Sequence, residues 1–169
     1  MRRLALAASL LVLLSLQAAA QTPHAGVEWR AATPDLGAII VLTQNPEKAA
    51  RAFDRTPPGG FVEMESAQEV HYGESIAALV FFTGCSSACK VFVDYELTGP
   101  DGSVRRKVVD KEGTEEASPR KKGKTLSRAL VRFSFDAKDP VGTYRIIAKV
   151  REPALKASVQ VSERFDVKP

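Results

Sequence analysis

The 169-residue chain has few of the side chains that most often carry chemistry: two cysteines, two histidines and one tryptophan. With His24 and His71 as the only imidazoles, a histidine-rich metal centre or a histidine-based triad has little to draw on. There is no G-x-S-x-G elbow, and neither Gly59-Gly60 nor Gly84 builds a phosphate loop. Cysteine spacing of the zinc type is missing too. The acidic pairs Glu63/Glu65 and Glu115/Glu116 read as solvated surface carboxylates, since a glycosidase needs two facing each other across a cleft. No repeat and no long low-complexity tract occurs. These absences point away from an enzyme and imply no cofactor, no metal site and no catalytic residue.

The first twenty residues set the expected compartment. Met1-Arg2-Arg3 is a short basic start, Leu4–Leu16 is apolar, and Ala18-Ala19-Ala20 offers small residues for signal peptidase. This is the pattern of a secretory signal cleaved after Ala20, which predicts a periplasmic or secreted protein. The apolar stretch is short for a membrane span, and no later run approaches the roughly 20 apolar residues of a transmembrane helix. No cysteine follows the signal to take a lipid anchor. About 149 residues remain, enough for one domain with its own core. Loss of Arg2 and Arg3 lowers the formal net charge from +4 to +2, too mild to specify a partner.

Residues 21–60 read as an N-terminal extension: a polar leader with a short strand near Val27–Trp29, a buried strand over Leu36–Thr43, and a short helix. Asn45-Pro46-Glu47 supplies a cap residue, proline at the first helical position and an acid in the first turn. The helix runs to about Asp54 with Ala49, Ala50 and Phe53 on one face, and Thr56-Pro-Pro-Gly-Gly60 ends it. Residues 61–169 read as β. A strand is expected within Phe61–Val70, then a turn at His71–Glu74, then a central strand at Ile76–Phe82 buried on both faces. Val91, Val93, Tyr95 and Leu97 alternate with polar positions, Gly99–Gly102 turns, and Val104–Val109 returns. Residues 110–127 read as a charged loop. Val131/Phe133/Phe135, Tyr144–Val150 and Val159–Val167 are three further strands. Glu163 stands in phase with the apolar residues of the last one, which means either a position beyond the core rim or a bulge.

About seven short strands separated by turn signals suggest a mostly β, antiparallel sandwich. Asp139-Pro-Val-Gly-Thr-Tyr144 before an alternating strand resembles the start of strand F in immunoglobulin-like domains, where a tyrosine hydrogen-bonds back to the corner. Ser158–Val167, ending Phe165-Asp166-Val167, resembles the last strand of bacterial exported immunoglobulin-like and macroglobulin-type domains. The likeness covers roughly residues 62–168 and implies a domain that binds, spaces or presents. The strand-C tryptophan and inter-sheet cysteine pair of antibody domains are missing.

Cys85-Ser-Ser-Ala-Cys89 joins two of these strands. One reading is a disulfide clasp on the loop, which would persist in an oxidising compartment and add about 2 kcal/mol. Another is thiol-redox or copper chemistry. Phe82-Thr-Gly-Cys85-Ser-Ser-Ala-Cys89 resembles copper chaperones of the thioredoxin fold, which carry a C-x₃-C motif after a strand, and two thiolates suit Cu(I). A β pattern instead of a helix follows the motif, however, and a third ligand from His71 requires its turn to reach the cysteine loop. Two inert thiols are the remaining case.

Arg105–Arg128 holds nine basic and four acidic residues, densest at Arg120, Lys121, Lys122 and Lys124. Such a loop is either solvated or attracts an anionic partner: an acidic protein patch, an anionic polysaccharide or a membrane surface. Export and the lack of interleaved aromatics argue against nucleic acid. The function expected is therefore an exported, non-catalytic binding or protein-interaction module. The alternative is a periplasmic thiol-redox or copper-handling protein using Cys85 and Cys89.

Overall fold

The computed structural model describes residues 30–33, 36–57, 62, 64–84, 89–114, 124–127 and 129–169. Among these residues ten strands and one helix follow in order: β1 (Arg30–Thr33), β2 (Leu36–Thr43), α1 (Pro46–Arg55), β3 (Glu69–His71), β4 (Ser75–Thr83), β5 (Phe92–Thr98), β6 (Val104–Glu112), β7 (Thr125–Leu126), β8 (Val131–Ser134), β9 (Gly142–Glu152) and β10 (Ala157–Lys168). They form two five-stranded sheets. The first runs β1-β2-β4 and continues to β7 and β8, which pair with successive stretches of β4. The second runs β3-β10-β9-β5-β6. The chain is a mostly β, immunoglobulin-like sandwich, with β1 and β2 as members of its first sheet and α1 packed on that sheet's outer face.

Alternation builds the core. Val93, Tyr95 and Leu97 of β5, Tyr144, Ile146, Ala148 and Val150 of β9, and Val159, Val161, Phe165 and Val167 of β10 point inward from the second sheet. They meet Leu36, Ala38, Ile40 and Leu42 of β2 and Ile76, Ala78, Val80 and Phe82 of β4. The other faces of β2 and β4 are buried as well, which explains their uninterrupted apolar runs. Ile39, Val41, Leu79 and Phe81 lie beneath Ala49 and Phe53 of α1, with Val62, Met64, Leu126 and Leu130 at the margin. The Phe53 and Phe81 rings are 5.2 Å apart. Spacing of four residues puts Ala49 and Phe53 on one helical face.

The tyrosine expected at the strand corner makes its bond. Tyr144 Oη donates to the Pro140 carbonyl at 2.9 Å, and Tyr72 Oη donates to the neighbouring Asp139 carbonyl at 2.7 Å. Tyr144 stacks among Phe135 and Phe165 in the same corner.

Several expectations change. The strand of the N-terminal extension is an inner member of the first sheet, since β2 pairs with β4 from Gly37–Thr83 to Thr43–Ala77. Val27–Trp29 lies outside the described residues, and β1 begins just after it. Among the described residues of Phe61–Val70, only Glu69 and Val70 are strand, as the first residues of the three-residue β3. The preceding stretch instead covers the outer face of the first sheet, with Ala67 N–H bonded to the Leu42 carbonyl at 2.8 Å. β3 pairs with β10 in parallel, the exception among the ladders. Asn45 stands at the helix N-cap, but its side chain makes no capping bond; its carbonyl accepts from Ala49 N–H. Ala50 is only half-buried. The charged loop is shorter than 110–127, because β6 continues to Glu112 and Thr125–Leu126 is strand. The β9–β10 register is unbroken through Glu163, so there is no bulge there, and Glu163 is exposed opposite buried Ile146.

Candidate binding end of the sandwich

Two loops leave the same end of the sandwich from hydrogen-bonded roots. β4 delivers the chain to Thr83 and Gly84, whose φ of +87° suits glycine. The chain returns at Cys89, which is half-buried against the core. Val91 then fastens this arm to the departing arm of the basic loop. Gly113 N–H donates to the Val91 carbonyl at 2.7 Å, and Val91 N–H donates to Thr114 Oγ1 at 3.2 Å. The basic loop comes back along the other arm of the cysteine loop. Thr125 pairs with Phe82, Leu126 with Phe81, and Ser127 N–H donates to the Val80 carbonyl at 2.7 Å. Thus the basic loop departs from the second sheet and returns to the first, and the cysteine loop is tied to it at both roots.

Close packing fixes these roots. Thr114 and Ser127 are buried. A Cβ on Gly113 would stand 2.5 Å from Ser127 Oγ and 3.4 Å from Val93 Cγ2, so only glycine fits without displacement. Ser127 Oγ also accepts from Ala129 N–H at 3.0 Å. Of the residues singled out from sequence, Cys89 and Lys124 stand at this end. Cys85, Arg120, Lys121 and Lys122 lie outside the described residues.

The β9–β10 hairpin joins the same end, because Arg151 pairs with Phe92. Its tip is held by Glu152, which is 1% exposed and accepts from Leu155 N–H. Beside it, Arg151 bonds Asp94 through Nε at 2.9 Å and Nη2 at 3.0 Å, and also reaches Asp110. The hydrogen bond from Arg151 and the Asp110 N–H hold the Asp94 carboxyl below its usual range, against the opposing effect of burial. Arg151 is pushed further up by the same partners. This cluster staples β5, β6 and β9 where Asp110, at φ +54°, makes a bulge. Glu152 was detectable in the sequence as an acid in phase with Ala148 and Val150. The Arg151–Asp94–Asp110 grouping depends on strand order and had no local signal.

His71 does not join this end. It ends β3 and faces the turn before β4, with its Nδ1 3.7 Å from Glu74. The length of β4, roughly 27 Å at the usual rise per residue, separates that turn from the cysteine loop. His71 therefore stands at the opposite end of β4 from Gly84 and Cys89. Among the described residues no group of three metal-ligating side chains occurs, and no helix is long and apolar enough to cross a membrane.

The chain matches no protein-family model and no curated protein. Solved structures do resemble it. The CARDB domain of a Pyrococcus furiosus protein, solved in complex with di-metal ions, is 10% identical at a TM-score of 0.41, covering 81% of this chain and 97% of that one. An immunoglobulin-like protein of Pseudomonas aeruginosa is 16% identical at a TM-score of 0.35, covering 85% and 99%. An alkylpurine DNA glycosylase of Pseudomonas fluorescens is 13% identical at a TM-score of 0.39 over 60% of this chain, which spans only 28% of the glycosylase. The immunoglobulin-like architecture itself stands on the strand pairings above.

Proposed function

We propose that the protein is an exported, non-catalytic binding or protein-interaction module whose recognition surface is the end carrying the cysteine and basic loops. The observation that supports this most directly is the bonding of the two loop roots at Val91, Gly113 and Thr114, which holds the stems of both loops side by side. Loops at one end of a rigid sandwich are where such folds place variable recognition elements. Residues 1–20 would direct export, and residues 21–60 and 61–169 would form the mature chain. In that compartment a Cys85–Cys89 disulfide would hold one loop closed. Arg120, Lys121, Lys122 and Lys124 would draw an acidic protein patch, an anionic polysaccharide or a membrane surface through a local excess of positive charge.

The test replaces Ser87 and, separately, Lys122 with a photo-crosslinking residue in cells exporting the protein. One shared partner captured from both positions is expected. A partner captured equally well from Lys138, in the exposed turn before β9 at the opposite end of the sandwich, would overturn the assignment of this end. For the captured partner, binding should weaken with added salt and on neutralising all four basic residues to glutamine. Salt-independent binding that survives the quadruple substitution would remove the basic loop from the function.

A further inference from the structure

The outer face of the second sheet carries an unbalanced pair of charges. Register sets its rows across β5, β9 and β10: Asp94–Lys149–Gln160, then Glu96–Ile147–Ser162, then Thr98–Arg145–Arg164. Three acids of this face already have cations. Arg151 bonds Asp94, Lys107 stands 3.5 Å from Glu96, and Asp166 accepts from Thr143 Oγ1 at 2.7 Å with Lys168 at 3.5 Å. The Thr143 hydroxyl and Lys168 keep the Asp166 carboxyl ionised below its usual range. Arg145 and Arg164 have no carboxylate partner among the described residues, and Arg145 reaches only Ser162 Oγ, at 3.0 Å.

Two like charges directly opposite in adjacent strands, with Cβ atoms about 5 Å apart, destabilise a sheet. A local rule broken without a compensating contact is where function is to be sought. Each guanidinium offers a planar fork of donors that matches an oxyanion and gives up water readily. We propose that Arg145 and Arg164 together form a binding site for one oxyanion, a carboxylate, sulfate or phosphate group, with the Ser162 hydroxyl as a further donor. Glu69, Glu96 and Asp166 border the pair. A charged plane such as an anionic membrane would press its phosphates onto those acids, whereas a single oxyanion on a thin ligand would avoid them. The site lies roughly 20 Å along β9 from the loop end, so it stands independently of the recognition surface proposed above.

Inorganic phosphate and, separately, sulfate titrated into the ¹⁵N-labelled chain at fixed ionic strength provide the test. Saturable shifts are expected at the amides of Thr98, Arg145, Ser162 and Arg164. Arg145→Gln and Arg164→Gln should each weaken binding about tenfold, with the double variant little worse than either, because both forks hold one anion. Each single variant should also melt at a higher temperature than the parent in low salt without phosphate, as the repulsion is relieved. Unsaturable shifts, or variants that melt lower and keep full phosphate affinity, would sink the proposal. So would loss of the shifts when Arg120, Lys121, Lys122 and Lys124 are neutralised, since the anion would then belong to the loop end. Binding to anionic-lipid vesicles that disappears in Arg164→Gln would overturn the choice of a thin ligand over a membrane.

Discussion

Three tyrosine hydroxyls do similar work at single-residue scale: Tyr95 and Tyr144 tie strands, and Tyr72 ties the turn after β3, to the backbone of another loop or turn. Tyr95 and Tyr144 are equally buried as residues, but only the Tyr95 hydroxyl makes a fully buried bond, to the Ala129 carbonyl, and burial pushes its ionisation well above the usual phenol range. Tyr95→Phe would leave that buried carbonyl without its donor and should cost about 1–2 kcal/mol, while Tyr144→Phe at the wetter corner should cost about 1 kcal/mol. Urea unfolding midpoints at constant slope read both. Asp94 gives the pH-dependent counterpart. Its folded carboxyl titrates below the unfolded one, so the Arg151 bridge contributes fully above the ordinary carboxylate range and fades as pH falls through the folded value. Asp94→Asn should therefore be less stable than the parent by about 1 kcal/mol near neutrality. The difference should close once the pH has fallen below the folded value. A gap that persists unchanged in acid would show that the ion pair contributes nothing.

At the scale of elements, α1 is a lid over the first sheet, anchored by one ring. Phe53→Ala should cost about 3 kcal/mol and expose Phe81, with protection from hydrogen exchange falling first in β2 and β4. The loop roots are tighter. Gly113→Ala forces Ser127 aside and should cost about 1–2 kcal/mol, with the largest amide shifts at Val91 and Ser127. Elements with a strong period were legible in the sequence. β2, β4, β5, β9 and β10 follow from alternation or unbroken apolar runs, and α1 from Pro46 and its acidic neighbour. The parallel pairing of β3 was hidden because three residues carry no period, and their partner lies almost a hundred positions away. For the candidate site, residue types were legible but their assembly was not. Cys89 and Lys124 stood out individually, yet only the Val91–Gly113 and Phe82–Thr125 pairings reveal that their loops share an end. The opposition of Arg145 to Arg164 was hidden for the same reason, since it depends on a register across a hairpin.

For the molecule as a whole, the two sheets give rigidity and leave variation to the ends and outer faces. Protein recovered from its native compartment is expected to show no alkylatable thiol, and Cys85→Ser should cost about 2 kcal/mol without altering the second sheet. Two reactive thiols and an unchanged melting temperature in the serine variant would remove the clasp. β10 supplies the other whole-molecule constraint. It lies between β3 and β9, and Tyr72 N–H bonds the Lys168 carbonyl at 3.1 Å. The second sheet thus recruits one of its earliest strands through its latest. A polypeptide emerging amino-terminus first cannot close this sheet until residues 166–168 are free, and such distant pairing is slow to form. The topology therefore acts as a delay. Residues near Lys168, far from either loop, set when the second sheet can close.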